Sequence, residues 1–250
     1  MDAKIRLYVD QPLAPGQAVH LSPDQAHYLT GVMRLGTGAA LLLFNGRDGE
    51  WRATLADATK RGAIAIPDAQ TKPLHLPPDL WLLFAPIKKA RTDFIVEKAV
   101  ELGAARILPV QTRHTNSERI RQDRLQAHAV EAAEQCGATY VPEVADLTPL
   151  ERLLRQWPDE RALIWCDEAS AGASPSPPGG GGMGWGGTTC PSAPAAILIG
   201  PEGGFSADES AKLRARPNVT TLSLGPRILR ADTAAVAALT LWQASCGDWR

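Results

Sequence analysis

Over the first 72 residues the apolar positions fall in short, β-prone runs: Ile5–Val9, Ala39–Phe44, Trp51–Leu55 and Ala63–Ile66. Asn45-Gly-Arg-Asp-Gly49 is rich in residues that accept turn geometry. One helix interrupts the pattern. Ser22 is placed to cap it, Pro23 fits its first position, and Gln25 stands third, as a capping box requires. Ala26, Leu29 and Met33 then share a face, and Gly36 stops the helix. Residues 1–72 are therefore expected to form a small β-barrel carrying one helix.

Residues 73–79, within Lys72-Pro-Leu-His-Leu-Pro-Pro-Asp79, read as a stiff extended linker. From residue 80 to 250 strands and helices alternate. Leu80–Ala85, Ile107–Gln111, Ala162–Cys166, Ala195–Gly200 and Thr220–Leu224 are strand-like. Between and after them stand helical patterns at Thr92–Leu102, closed by Gly103, at Arg119–Cys136, closed by Gly137, and at Asp232–Ala244. Ser206-Ala-Asp-Glu209 is a second capping box, opening a short helix that ends before Pro217. This order predicts an α/β domain with a parallel sheet and helices on both faces. Residues 169–194, low in complexity and rich in Gly, Pro and Ser, break the rhythm and read as a flexible surface insertion.

Composition adds little until it is resolved along the chain. The 250 residues are 44% hydrophobic and 21% charged, with a formal net charge of −1. Residues 86–128, however, hold nine Lys/Arg against five Asp/Glu, and residues 131–170 hold three against nine. Such a segregated basic face is compatible with binding a structured RNA, and equally with a solvated helix surface. The four cysteines and five histidines are scattered without zinc-type spacing, which predicts reduced, mostly buried thiols and no metal site. The N-terminus lacks a signal-peptide core and no apolar run approaches a membrane span, so a cytoplasmic protein with no membrane partner is expected.

The most informative feature is a pair of glycine turns, each leaving an apolar run: Ala196-Ile-Leu-Ile-Gly-Pro-Glu-Gly-Gly-Phe205 and Val219-Thr-Thr-Leu-Ser-Leu-Gly-Pro-Arg-Ile-Leu-Arg-Ala-Asp-Thr233. Turns with so little bulk leave backbone groups free to hold a ligand. Neither contains the lysine and hydroxyl of a phosphate-binding loop, nor the spacing of a dinucleotide fingerprint. Glu202 would repel phosphate but would accept from a cationic or hydrogen-bond-donating ligand. Leu222, Leu224, Ile228 and Leu229 suit a flat aromatic ring such as adenine. A single such turn is readily just a tight turn holding a Glu–Arg pair; two in sequence argue for a site.

Paired in this order, GPEGGFSADE and LGPRILRADTA resemble the C-terminal half of the bacterial 16S ribosomal RNA uridine-N3 methyltransferases, the RsmE family of the SPOUT class. Upstream, Lys88 to Gly103, Ile107 to Asn116 and Glu131 to Gly137 resemble further family segments, and His27 with Val32-Met-Arg-Leu35 resembles its PUA-like RNA-binding domain. The resemblance implies a C-terminal sheet closed by a trefoil knot, S-adenosyl-L-methionine as cofactor, and a homodimer; the apolar final helix is a candidate for the dimer contact, and ordinary core packing explains it nearly as well. It places Leu198, Ile199, Gly200, Gly203 and Gly204 on one side of the cofactor, and Leu222, Leu224, Gly225, Ile228, Leu229 and Arg230 on the other.

The implied reaction is methylation of N3 of a uridine in 16S rRNA within the small ribosomal subunit. Arg230 is the candidate cation for the developing N3 anion, with Glu202 and Asp232 as base or as orienting acids; a helix cap and an internal salt bridge account for these two acids equally well. Arg34, Lys88, Lys89, Arg91, Arg113 and Arg119 are candidate RNA phosphate contacts. Two departures stand out: Ala138 where relatives carry Arg, which bears on RNA binding, and Asp232 where they carry Glu. Another RNA nucleotide as target, or a non-catalytic RNA-binding assembly factor with this fold, remain the alternatives.

Overall fold

The computed structural model describes residues 3–59, 62–115, 119–167 and 190–249. The insertion read at 169–194 thus lies outside the described residues up to residue 189. The chain divides into two compact units, Met1–Leu76 with Ala133–Val141, and Pro77–Ala132 with Pro142–Arg250.

In the first unit, β1 (Arg6–Tyr8), β2 (Val19–Leu21), β3 (Ala40–Phe44), β4 (Glu50–Thr59) and β5 (Gly62–Lys72) form one sheet in the order β1-β3-β4-β5-β2. Only β1 and β3 are parallel. Strands β4 and β5 run well beyond their apolar centres, because three register shifts let them bend and still pair. Alternation puts Leu41, Leu43, Ala53, Leu55 and Ala65 into a core that also takes Ala26 and Leu29 from α1 (Pro23–His27) and the π-type turn after it. The Ser22–Gln25 capping box forms with both reciprocal bonds. The far end differs from expectation. Arg34, at φ 56°, ends the turn, and the Leu35 N–H donates to the Leu29 carbonyl, so Gly36 is not the stop and Met33 is exposed rather than packed.

Glu50 is buried in this unit and meets Arg6 at 2.6 Å and Thr71 Oγ1 at 2.8 Å. Burial opposes its charge, but Thr71, Arg6 and Lys72 together outweigh burial and hold its carboxyl below the usual range. Arg6 also donates to the carbonyls of Ala133, Glu134 and Ala138. Ala138 therefore serves here through its backbone, a role that needs no arginine side chain.

The second unit is the parallel α/β sheet. Its strands are β6 (Leu80–Phe84), β7 (Arg106–Gln111), β8 (Glu143–Val144), β9 (Thr148–Pro149), β10 (Ala162–Cys166), β11 (Ala195–Ile199) and β12 (Val219–Leu222). The order is β12-β10-β11-β6-β7-β8, with β9 also on β7, and every pairing is parallel. The helices are α2 (Lys89–Glu101), α3 (Gln122–Cys136), α4 (Leu150–Arg155), α5 (Ala207–Arg214) and α6 (Ala231–Cys246). The alternation of strand side chains sorts them into two layers. Leu83, Leu163, Trp165, Ala196 and Leu198 pack with Leu150 and Leu154 of α4 and Leu213 of α5. On the opposite layer α6 packs on α2 and on β11.

Elements β8, β9 and α4 have no counterpart in the pattern of the sequence, since two-residue strands carry no period to detect. A second correction concerns the thiols. Cys190 and Cys246 form a disulfide with Cα atoms 6.3 Å apart, whereas Cys136 and Cys166 are free. The bridge joins the chain just before β11 to the end of α6, where the Trp242 indole N–H also donates to the Pro191 carbonyl at 2.9 Å. It closes a loop of sequence separation 56 that contains both glycine turns. Restricting the unfolded chain by a loop of this size stabilises by about 4 kcal/mol in the chain-entropy account. Reduction, or Cys246→Ser, is expected to lower the midpoint of thermal unfolding by roughly 5–15 °C. Calorimetry with and without reductant checks this, and an unchanged midpoint would show that the bridge contributes nothing.

Candidate active site

Strand β11 ends at Ile199 and the chain enters the first turn. Here Gly204 N–H donates to the Pro201 carbonyl at 2.9 Å, and Gly204 sits at φ 66°. Gly200 is required for a different reason: a Cβ there would stand 2.7 Å from Cε2 of Phe205. The Phe205 ring instead turns under the sheet and meets Trp165 edge-on at 5.7 Å. The turn is thus folded back on its own aromatic residue, after which the Ser206–Glu209 capping box opens α5.

A second loop clamps this turn. His114 Nδ1 lies 3.0 Å and 3.2 Å from the carbonyls of Gly203 and Gly204, so it must carry the proton there. The neighbouring Arg113 N–H donates to Glu209 Oε1 at 2.8 Å. Glu209 so closes the capping box with one oxygen and holds the loop after β7 with the other. Neither His114 nor Glu209 stood out from the sequence as a site residue; a histidine clamp on two carbonyls has no spacing signal.

The second turn follows β12. Gly225, at φ 107°, lies where an added Cβ would meet nothing, so the conformation rather than crowding demands glycine. Together the chain ends around β10, β11 and β12 enclose a recess. Its walls are Ile199 and Gly200 from the first turn, Leu222, Leu224, Gly225, Ile228 and Leu229 from the second, and Ala231 and Ala234 from α6. Cys166, Asp167 and Arg227 complete the lining, and nothing in the sequence pattern singled them out. Asp167 is bonded to Arg214 at 3.1 Å.

Other candidates lie elsewhere. Leu198 is fully buried on the opposite layer, because neighbours in a strand point to opposite faces and Ile199 takes the recess side. Gly203 and Gly204 shape the turn against His114 but do not line the recess. Arg230 is the exposed N-cap residue of α6, and among the described residues no carboxylate pairs with it. Glu202 and Asp232 are instead both engaged by Arg91, at 2.8 Å and 3.7 Å. Asp232 Oδ1 also accepts from Thr233 N–H. Lys89 and Arg119 share a cationic recess with Arg121 and Arg124, whereas Arg113 lies in another with Ser206 and Lys212. Lys88 is the exposed N-cap residue of α2, and Arg34 is exposed in the first unit.

Burial pushes the Cys166 thiol up to about 12. A thiol so placed stays protonated at neutral pH and lines the recess as a small apolar group, not as a nucleophile.

An open parallel sheet whose strand order reverses between β6 and β11, with a glycine-lined recess at the carboxyl ends, defines an α/β domain built to hold a small ligand. The sequence profile described as an RNA methyltransferase domain matches residues 74–243, and that of an RNA methyltransferase PUA domain matches residues 21–68. The chain belongs to the ribosomal RNA small subunit methyltransferase E family of RNA methyltransferases.

Its similarity to known members is spread over the whole length. The chain is 28% identical to ribosomal RNA small subunit methyltransferase E of Rickettsia conorii, covering 94% of this chain and 93% of that one. It is 30% identical to the Synechocystis protein of the same name, over 91% of this chain and 74% of that one. Among solved structures, the Neisseria gonorrhoeae ribosomal RNA small subunit methyltransferase E bound to S-adenosyl methionine superposes with TM-score 0.84 at 27% identity, over 98% and 99% of the two chains. A Legionella pneumophila methyltransferase in complex with the same cofactor also gives TM-score 0.84, at 28% identity over 99% and 100%.

The thiol assignment has a direct consequence. Treated with iodoacetamide at pH 8, the folded protein is expected to be alkylated at exposed Cys136 and spared at Cys166, which should react only after denaturation. Peptide mass spectrometry distinguishes the two, and rapid labelling of native Cys166 would overturn its reading as an inert wall.

Proposed function

We propose that the protein transfers a methyl group from S-adenosyl-L-methionine to N3 of a uridine in 16S rRNA of the small ribosomal subunit. The observation that carries the reading is the glycine-lined, mostly apolar recess at the two turns, in a chain whose full-length relatives include a small-subunit rRNA methyltransferase E solved with S-adenosyl methionine bound. The residues present fit that cofactor. Leu222, Leu224, Ile228 and Leu229 offer apolar faces for an adenine ring, and the open space at Gly225 lets a ligand approach the backbone. What the cofactor supplies is an electrophilic methyl group on a sulfonium.

The chain's own residues then have to hold uridine in line and favour loss of its weakly acidic N3 proton. Arg230 is suited to the proton loss. Exposed at the mouth of α6 and unpaired among the described residues, it can approach O2 or O4 as negative charge develops. The alignment itself contributes several kcal/mol. N3 lies on the pairing edge of the base, so the target must be unpaired or splayed out. Lys88, Lys89, Arg113, Arg119 and, from the first unit, Arg34 are the proposed phosphate contacts.

The trefoil knot and the homodimer belong to the same reading. In its favour, the chain leaves β12 at the sheet edge, yet α6 returns to pack on β11 and α2 in the interior. The reading also places the protein in the cytoplasm, where its substrate is assembled.

The experiment is transfer of labelled methyl from S-adenosyl-L-methionine to undermodified small subunits, with nucleoside analysis. Labelled 3-methyluridine is expected. A different methylated nucleoside would sink the N3 assignment, and cofactor binding without transfer would favour an assembly factor. Arg230→Ala is expected to lower kcat by about 10²–10³-fold with little change in cofactor affinity. Gly225→Ala, forced into a left-handed conformation that costs about 1–2 kcal/mol, should instead weaken cofactor binding by roughly 5–30-fold. Calorimetric titration with the cofactor alone separates the two.

A further inference from the structure

A residue from outside both turns links the first of them to the start of α6. Arg91, in the first turn of α2, donates from Nη1 to Glu202 Oε1 at 2.8 Å, while its Nε lies 3.7 Å from Asp232 Oδ2. Glu202 belongs to the first glycine turn, two residues beyond Gly200. Asp232 is the second residue of α6, beside Ala231. Gly200 and Ala231 both line the recess. One guanidinium therefore links two chain segments that both contribute to the wall.

Partly exposed pairs of this kind add little to global stability: the Arg91 and Glu202 side chains are 27% and 45% exposed. What a planar guanidinium adds is geometry: one N–H is directed at Glu202 at 2.8 Å, while its Nε edge lies within Coulombic reach of Asp232 at 3.7 Å, so both carboxylates are drawn to one rigid group. The same arrangement argues against a phosphate contact. With a carboxylate on each side the charge of Arg91 is already matched, and an RNA phosphate would have to displace one of them.

We propose that Arg91 is a positioning residue that sets the spacing between the first glycine turn and the start of α6 at the cofactor recess, with Glu202 and Asp232 as its anchors. This rests on the reading of the recess as the S-adenosyl-L-methionine site. Glu202 and Asp232 then act through Arg91, and neither takes the N3 proton.

The test is calorimetric titration of the full chain with S-adenosyl-L-methionine, alongside methyl transfer to undermodified small subunits. Arg91→Ala should weaken cofactor binding about tenfold and lower kcat by up to roughly 100-fold, with KM for the subunit unchanged. Arg91→Lys should recover little of the loss, because one ammonium cannot face both carboxylates along fixed directions. Combining Arg91→Ala with Glu202→Gln or Asp232→Asn should cost no more than Arg91→Ala alone. The slope of log affinity for small-subunit rRNA against log salt should not change. A slope reduced by about one, with cofactor affinity intact, would make Arg91 a phosphate contact and overturn the proposal. A wild-type protein that does not bind the cofactor would overturn the reading of the recess and the role of Arg91 with it. Normal wild-type binding that Arg91→Ala leaves unaltered would overturn the role of Arg91 alone.

Discussion

Everything at the candidate site depends on β11 being enclosed on all sides. Its five residues are buried at every position, β10 and β6 occupy both its edges, and helical layers cover both its faces. A strand so enclosed satisfies its backbone entirely through neighbours, and only its carboxyl end can offer free polar groups. That end is Ile199-Gly200. The recess forms here because the sheet leaves no other exit from its most buried strand, and because β10 and β12 end at the same level to supply the remaining walls.

The first turn is held by interactions that avoid the recess itself. Phe205 folds beneath it onto Trp165, His114 grips the carbonyls of Gly203 and Gly204, and Glu209 fixes the loop that carries His114. The Phe205 ring packs directly against Gly200, and His114 and Glu209 act further along the turn; none of the three lines the recess. Inside, the lining is mostly glycine and aliphatic side chains, with the Cys166 thiol kept neutral by burial and Asp167 and Arg227 as its charged members. Fixing a loop from behind while leaving its inner face bare is how a backbone can be presented rigidly to a ligand.

Much of this was legible in the chain because strong local rules governed it. Both capping boxes form as the spacing of Ser22 with Gln25 and of Ser206 with Glu209 predicts, and the long strands follow their apolar runs. Ile199, Gly200, Leu222, Leu224, Gly225, Ile228 and Leu229 come together because turn glycines and the residues beside them mark the ends of strands. What escaped was set by tertiary contact. Leu198 was grouped with Ile199 though strand alternation separates them. Glu202 and Asp232, far along the chain, pair with Arg91, a contact that no local spacing announces. His114, Asp167 and the Cys190–Cys246 bridge depend on pairings across the sheet that no local pattern encodes. The π-type turn ending at Arg34 replaced a glycine stop, because the Leu35 to Leu29 bond closes it one step early.

The arginines near the site receive opposite treatment, and the difference bears on how a chain of net charge −1 could hold RNA. Arg91 is matched by two carboxylates, Arg124 by Asp93 and Arg121 by Asp123. Cations neutralised in this way contribute little to a long-range field and release few counterions on binding. Lys88, Lys89 and Arg230 are exposed, and none pairs with a carboxylate among the described residues. Cations left exposed in this way are the ones able to orient an RNA backbone by contacting its phosphates, since their charge is not already matched within the described residues.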